Sequence, residues 1–340
     1  MFVYNPCHMR KFITILVLFL GAAFVYLSFG EIESIAETLR HGNIWFVLLA
    51  ILIQGGWFLG TGLTYLSLYR LFGMDETIYK MSLISAAANF VNIIAPSAGM
   101  GGMAVFISDA NRSGRSPGKV TVVNVSFLFI DYIAFLVVLT LGLIVLFRRN
   151  DLHPTEIAAS LVILAIALTL GSLLYLGSRS AAALGNALAW IARFVNRITK
   201  PFIKRDYISE ARAHEFAREM TTDLKSLPEK SSSLIKPLVF ALTNKALLMC
   251  VLMASFLSFE VPFSAGTIIG GFSIAYLFLI VSPTPSGIGI VEGIMPLALT
   301  SLRVPWSQAV IITLAYRGIT FWLPLGVGAW AFRTLNQETK

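Results

Sequence analysis

The chain is dominated by apolar runs long enough to cross a lipid bilayer. Crossing the hydrocarbon core takes about 20 mostly apolar residues in an α-helix. Six uninterrupted runs reach or approach that length, separated by polar breaks: residues 12–29, 44–69, 120–147, 157–177, 237–259 and 307–332. Helices are the natural structure for such runs, because each backbone amide must be satisfied within the bilayer. We therefore predict an all-α, polytopic membrane protein with about six full transmembrane helices.

Composition agrees with this class. Of the 340 residues, 56% are hydrophobic and only 13% are charged, whereas soluble domains carry about 25% charged residues. The formal net charge is +8, but the basic residues flank apolar runs, which indicates membrane orientation and contact with anionic lipid rather than nucleic acid. The first run lacks a small-residue cleavage pattern at its end, so we predict a retained helix. Residues 1–340 are predicted to form a single membrane domain.

Two further apolar stretches, residues 81–110 and 265–302, are each broken near the middle by the sequences IIAPSAGMGG and VSPTPSGIGIVEG. Proline lacks a backbone donor and glycine destabilises a helix, so each stretch is predicted to form two half-helices around a non-helical tip. The predicted tip residues are Pro96, Gly99, Gly101 and Gly102 in the first stretch and Pro283, Pro285, Gly287 and Gly289 in the second. Such a pattern predicts two re-entrant helical hairpins.

The distribution of basic residues favours turning back over crossing. If both hairpins are re-entrant and both termini are cytoplasmic, most basic residues lie inside: Arg10, Lys11, Arg70, Lys80, Arg112, Arg115, Lys119, those of the 179–236 loop, Arg333 and Lys340. Only Arg40, Arg148, Arg149 and Arg303 then lie outside, as the positive-inside rule requires. Three full spans separate the hairpins, so they are predicted to open from opposite faces. Whether the two halves form a true inverted repeat stays open.

The 179–236 segment is predicted to be a cytoplasmic loop that carries an interfacial amphipathic helix. One face would hold Trp190, Phe194, Val195 and Ile198, flanked by Arg193, Arg197 and Lys200. Such a helix can lie on an anionic leaflet. The alternative is a connector that does no more than anchor the chain.

Charged residues inside the apolar runs indicate a substrate pathway, because such residues are costly in a bilayer. Asp131, Lys245 and Arg317 lie near mid-membrane depth, Glu292 lies on the returning arm of the second hairpin, and Asn89 and Asn92 precede the first tip. Opposed broken helices near the midplane are a sequence pointer to a transporter binding site. The alternative for each charge is a structural ion pair, and Asp131 with Lys245 would make one.

Signs of catalysis are missing from the sequence. His8, His41, His153 and His214 lie in terminal or loop segments without metal-ligand spacing, and GxSxG, HExxH and Walker patterns are not found. We therefore expect no catalytic residue, no metal site, no cofactor and no enzymatic activity.

The second tip, SPTPSGIGIVEG, followed after a helix-length spacer by AYRGITFWLPLGVG, resembles the flippase-like transmembrane domain of lysylphosphatidylglycerol synthase and its stand-alone prokaryotic relatives. The resemblance extends over nearly the whole chain. Its matching positions are Pro283, Pro285, Gly287, Gly289, Glu292, Tyr316 and Arg317, which adds Tyr316 to the predicted pathway. Two positions depart from the pattern: Met103 follows the first Gly-Gly where an acidic residue is common, and Phe127 and Leu128 stand where an arginine often precedes Asp131.

The resemblance implies a multi-pass protein of a prokaryotic cytoplasmic membrane that moves a phospholipid, aminoacylated or otherwise charged, between leaflets. Lysyl transfer belongs to a separate soluble domain of the synthase and is not expected of this chain. In this reading Lys245 and Arg317 would hold phosphate, and Asp131 and Glu292 would hold an ammonium or compensate the basic pair. A secondary transporter of a small soluble solute and a lipid-modifying membrane enzyme stay open as alternatives. Membrane phospholipids and an anionic leaflet are the expected partners, and a homodimer is a further alternative.

Overall fold

A computed structural model describes residue 35 and residues 37–94, 100–203, 209–225, 234–282 and 284–337. All regular elements in these ranges are helical. The predicted span at residues 12–29 lies outside the described residues, as do the tip residues Pro96, Gly99 and Pro283. The described ranges cover the other five predicted spans and both arms of each broken stretch.

Five helices are long and apolar enough to cross a membrane. They coincide with five of the six predicted spans, and the predicted all-α polytopic class is confirmed. Their bounds are α1 Ile44–Leu71, α4 Pro117–Arg148, α5 Pro154–Arg179, α8 Ile235–Ser258 and a final span over Trp306–Gln337. The final span is one continuous run of helix, as its apolar run predicts, and a π-helical segment within it, Gly318–Trp322, joins α11 (Trp306–Arg317) to α12 (Leu323–Gln337).

The two broken stretches form two pairs of shorter helices. The first hairpin contains α2 (Ile78–Ile94) and α3 (Met100–Arg112), and the second contains α9 (Ala265–Val281) and α10 (Ile290–Ser301). The longer arms have 17 residues, so each is about 25 Å long, short of a hydrocarbon core of about 30 Å. In each pair the two arms pack against each other. Both stretches therefore fold back on themselves.

The first hairpin opens where α1 ends and α4 begins. Arg115, between α3 and α4, contacts both Glu76, between α1 and α2, and Asp109 on α3. Arg112 donates a hydrogen bond to the Leu335 carbonyl at 3.4 Å, so α12 also ends here. We call this part of the molecule the Arg115 end.

The second hairpin opens at the other end of the bundle. The Asn43 amide, just before α1, donates to the Ser258 carbonyl at the end of α8 over 2.7 Å. Arg149, after α4, donates to the Leu302 carbonyl at 3.0 Å and to the Ser264 hydroxyl at 3.1 Å. Since Ser264 and Leu302 flank the second hairpin, both of its outer ends lie at this Arg149 end. The two hairpins therefore enter the bundle from opposite ends.

The polar 179–236 segment contains two helices, α6 (Ala181–Ile203) and α7 (Glu210–Lys225), which pack against each other. Leu184 of α6 and Met220 of α7 belong to the same buried cluster as Tyr69 and Met74, which lie at the Arg115 end. The indole of Trp190 is 62% exposed. The helices thus cover the Arg115 end, while the predicted lipid-facing side chains Phe194, Val195 and Ile198 lie outside the described side chains.

Close helix contacts hold the hairpins in the bundle. A Cβ atom at Gly328 of α12 would lie 2.6 Å from the Ala86 carbonyl oxygen and 2.7 Å from Phe90 Cβ, both on α2. A Cβ atom at Gly142 of α4 would likewise lie too close to the Ser273 side chain of α9. Small residues are the usual means by which membrane helices approach this closely. The long spans therefore fix an arm of each hairpin, and with it the position of the tips.

Candidate functional site

Two adjoining cavities lie between the hairpins. The first, with a volume of about 140 Å³, is lined by Lys245 and is called the lysine cavity. The second, of about 130 Å³, is lined by Arg317 and is called the arginine cavity. Trp57, Asn89 and Tyr276 line both. Since Asn89 lies near the end of α2 and Tyr276 lies on α9, arms of both hairpins border the two cavities.

Lys245 is the centre of the lysine cavity. Its Nζ atom lies 2.7 and 2.9 Å from the two carboxylate oxygens of Asp131 and donates to the Tyr276 hydroxyl at 2.7 Å. These three contacts match the three hydrogens of an ammonium group. The Lys245 side chain is 2% exposed, whereas that of Asp131 is 21% exposed. Both residues line the cavity, and Asp131 is the more accessible member of the pair.

Arg317 has the corresponding place in the arginine cavity. Its Nε atom donates to Glu292 at 2.5 Å, and its Nη2 atom donates to the Ser286 carbonyl at 3.1 Å. The second oxygen of Glu292 accepts from the Gly289 amide at 2.8 Å, which caps the start of α10. The exposed fractions are 3% for Arg317 and 18% for Glu292. Arg317 thus joins the last span to the tip of the second hairpin.

The second tip has a backbone that few residues adopt. Ser286 has φ = 49°, Gly287 has φ = 72° and Gly289 has φ = 77°. Positive φ is tolerated by glycine but costs a serine free energy, and such residues persist where the surrounding contacts hold them. The contact from Arg317 to the Ser286 carbonyl is one such restraint. The π segment begins directly after Arg317, and π insertions are frequent at functional sites.

Buried amides add polar surface between the pairs. Gln54 lines the arginine cavity with none of its side chain exposed, and neither amide atom has a hydrogen-bond partner within the described part of the chain. Asn244 lines the lysine cavity, and its Nδ2 donates to the Thr61 hydroxyl at 3.4 Å. An unpaired buried polar group lowers the free energy of unfolding by about 1–3 kcal/mol. Gln54 therefore destabilises the fold unless a ligand or water satisfies its amide.

The structure brings together most of the predicted pathway residues. Asn89, Asn92, Asp131 and Lys245 line the lysine cavity, Asn89, Tyr316 and Arg317 line the arginine cavity, and Glu292 is held by Arg317. Asn92 also accepts from the Gly102 amide at 2.7 Å, closing the first hairpin. Gly101 lies in the first turn of α3, away from both cavities, and Pro285 opens the 3₁₀ turn Pro285–Gly287 of the second tip.

Sequence reasoning missed Tyr276, Trp57 and the Ser286 carbonyl. Aromatic residues in apolar runs usually pack or face lipid, so neither ring gave a distinct signal. Tyr276 precedes the second tip by about two turns on α9, and this spacing from a predicted tip was the one available clue.

A family model described as the lysylphosphatidylglycerol synthase TM region matches residues 12–328. No curated protein matches the chain at a significant level.

Proposed function

Because the chain belongs to the lysylphosphatidylglycerol synthase transmembrane-region family, we propose that it moves a phospholipid headgroup between leaflets. Membership of this family indicates a lipid-related role for an integral membrane protein. One observation supports the proposal most strongly. The two hairpins enter from opposite ends and border adjoining cavities, one lined by both members of the Asp131–Lys245 pair and the other by Arg317, which pairs with Glu292. Such a path would carry the headgroup through protein while the acyl chains stay in the bilayer.

The ion pairs suit a charged headgroup because they allow an exchange of partners. Breaking a buried pair without replacement is strongly unfavourable. A phosphate that approaches Lys245 or Arg317 replaces the carboxylate, and an ammonium on the same lipid pairs with the released Asp131 or Glu292. The carboxylates are the accessible members of both pairs, so the ammonium is the group they attract first.

Passage of a headgroup requires the hairpins to separate. Cavities of about 140 and 130 Å³ have room for several water molecules but little room for a whole headgroup between their walls. Gly287 and Gly289, with their positive φ values, are suited to act as hinges of the second tip. Release of Ser286 and Glu292 by Arg317 would free that tip from the last span.

The test is lipid exchange in vesicles that contain the purified protein. Fluorescent phosphatidylglycerol and phosphatidylethanolamine are followed by quenching of the outer leaflet. The wild type should exchange at least one of them faster than protein-free vesicles, and Arg317→Ala should slow exchange at least tenfold. The control Arg333→Ala changes an exposed arginine on α12 and should retain the wild-type rate.

Two other results would overturn the lipid role. Accumulation of a trapped, membrane-impermeant solute without lipid exchange would identify a solute transporter instead. A chemically altered lipid, detected by mass spectrometry of the same vesicles, would identify an enzyme.

We also propose that α6 rests on the anionic leaflet at the Arg115 end. The exposed Trp190 and the basic residues along α6 support this, since Trp and basic side chains anchor interfacial helices. Trp190→Ala should reduce the preference of the protein for nanodiscs of anionic lipid over nanodiscs of zwitterionic lipid. Equal retention of the wild-type protein by the two kinds of nanodisc would contradict the proposal.

A further inference from the structure

A third cavity lies outside the two that the proposed function uses. It has a volume of about 680 Å³ and runs between the first hairpin and α12. We call it the hairpin groove. We propose that the hairpin groove binds a phospholipid with an anionic phosphodiester, its phosphate at the Arg115 end and one acyl chain along the first hairpin.

The outer part of the groove is polar and basic. Lys80, Asp109 and Arg112 line it, together with Ser113 and Asn336. The adjoining Glu76 and Arg115 add one charge of each sign, so three cations against two carboxylates leave an excess of one positive charge among the described residues. The Lys80 ammonium lies 3.1 Å from Glu76 and 3.3 Å from Asp109 and donates to the Ser113 hydroxyl at 3.4 Å, so it is held at the rim. An anionic phosphodiester matches that excess charge and the neighbouring hydroxyl and amide donors.

The inner part of the groove is apolar. Val91, Val105, Phe332 and Leu335 line it, and Gly101 lies at its far end. From Ser113 back to Gly101 there are 12 residues of chain, mostly α3, which corresponds to about 18 Å. Half of a hydrocarbon core is about 15 Å. The groove therefore extends through the depth of about one leaflet, with its charged part at the surface.

This division favours a lipid over a soluble anion or a peptide. A free phosphate would fill only the basic part and leave the apolar walls uncovered, and a peptide backbone would bring amides to walls that offer few partners. A phospholipid matches both parts at once. The described walls are helices of the polytopic bundle, which suits an occupant that comes from the bilayer.

The inner end of the groove adjoins the first tip. Gly101 is next to Gly102, whose amide is bonded to Asn92, and Asn92 lines the lysine cavity. A lipid in the groove therefore lies beside the arm that would move to admit its headgroup. This loading role rests on the proposed function, whereas lipid binding does not.

Native mass spectrometry of the full chain in detergent tests the binding. Phosphatidylglycerol should bind with a stoichiometry of one, and at least tenfold more tightly than phosphatidylcholine. Ala104, an exposed residue that lines the groove, is replaced with Trp to fill it, and Ala104→Ser serves as the matched control. The Trp variant should lose the bound lipid and the Ser variant should retain it. Arg112→Ala should weaken binding about tenfold, whereas the exposed Arg70→Ala at the same end should not.

Three results would overturn the proposal. Equal binding of both lipids would show that the basic residues do not select an anionic headgroup. Displacement by inorganic phosphate at concentrations similar to those of the lipid would show that the acyl chain does not contribute to binding. Loss of a dimer rather than of lipid on Ala104→Trp would show that a second copy covers the groove. Failure of the proposed function can be distinguished from failure of this proposal. A protein that binds lipid in the groove but does not exchange lipid between leaflets would contradict the proposed function alone. Loss of bound lipid with unchanged exchange would remove only the loading role.

Discussion

At the scale of single residues, the two ion pairs share an asymmetry that governs their energetics. Lys245 and Arg317 are 2% and 3% exposed, while their partners Asp131 and Glu292 are 21% and 18% exposed. A carboxylate that loses its cation can therefore be hydrated, but a cation that loses its carboxylate stays buried without a counter-charge. The cost of breaking a buried pair therefore depends on which member is removed.

The first prediction compares the two members of the lysine pair. Asp131→Asn should lower the free energy of unfolding by about 3–5 kcal/mol, because it leaves a buried ammonium with only the Tyr276 hydroxyl and an amide oxygen. Lys245→Met should cost less, since Asp131 can be hydrated. Unfolding by SDS in mixed micelles measures both, with the exposed Lys236→Met on the same helix as control. A larger loss for Lys245→Met would contradict the asymmetry.

The second prediction concerns Glu76 at the Arg115 end. Burial acts to raise the pKa of Glu76, but hydrogen bonds and charges from Arg115 and Lys80 outweigh it, so its pKa is lowered from the ordinary 4.5. A lowered folded pKa means that the contribution of Glu76 to stability is complete above pH 4.5 and is lost as pH falls below that value. The thermal midpoint of Glu76→Gln should lie below that of the wild type at pH 7.

That difference in thermal midpoint should narrow as the pH is lowered from 5 toward 3. Asp75→Asn, which changes a neighbouring exposed carboxylate, is the control and should keep the wild-type thermal midpoint at pH 7. A gap between wild type and Glu76→Gln that widens in acid would contradict this assignment.

The sequence identified the charged residues because charges inside apolar runs are conspicuous. It could not decide how they pair, since Arg317 and Glu292 meet through the packing of α11 against the second hairpin, 25 positions apart in the chain. Pairing also changes the chemistry. The sequence suggested cations available for phosphate, whereas the structure buries both cations more deeply than their carboxylate partners.

At the scale of elements, Pro and Gly residues predicted the two hairpins to within a few residues. The first was expected at residues 81–110 and is observed as Ile78–Arg112 around its break, and the second at 265–302 is observed as Ala265–Ser301. The π segment at Gly318–Trp322 had no sequence signal, because an added backbone residue in a helix changes the register without changing hydropathy.

The third prediction concerns the contact that positions the first hairpin. Gly328→Ala places a Cβ atom 2.6 Å from the Ala86 carbonyl oxygen, so α12 and α2 must separate, which should cost about 1–3 kcal/mol. Gly326→Ala is the matched control, because a Cβ there meets nothing within 4 Å and should gain up to about 1 kcal/mol of helix propensity. Thermal unfolding in detergent compares them. Equal midpoints would show that this contact does not fix the hairpin.

At the scale of the whole molecule, charged side chains form a separate contact network at each end of the bundle. Glu76, Asp109 and Arg115 gather at one end, and Arg149 and its carbonyl partners at the other. This arrangement agrees with opposite openings of the hairpins, which the sequence predicted from the number of intervening spans. Which end faces the cytoplasm is inferred from the basic residues and stays a prediction.

The fourth prediction tests that orientation. In a background with Cys7 and Cys250 replaced by serine, Ser113→Cys marks the Arg115 end and Glu260→Cys marks the Arg149 end, both at exposed positions. A membrane-impermeant thiol reagent added to intact cells should label only Glu260→Cys. Labelling of both or of Ser113→Cys alone would contradict the predicted topology.

The central claim is that headgroups pass through the joined cavities, and the most direct measurement blocks both with one side chain. Asn89 lines both cavities and belongs to neither ion pair, so Asn89→Trp should fill the path. We predict that lipid exchange in vesicles falls to the protein-free rate in Asn89→Trp, while Asn89→Ser retains exchange and both variants keep the wild-type thermal midpoint to within a few degrees. Exchange by a folded Asn89→Trp at the wild-type rate would show that lipid does not take this route.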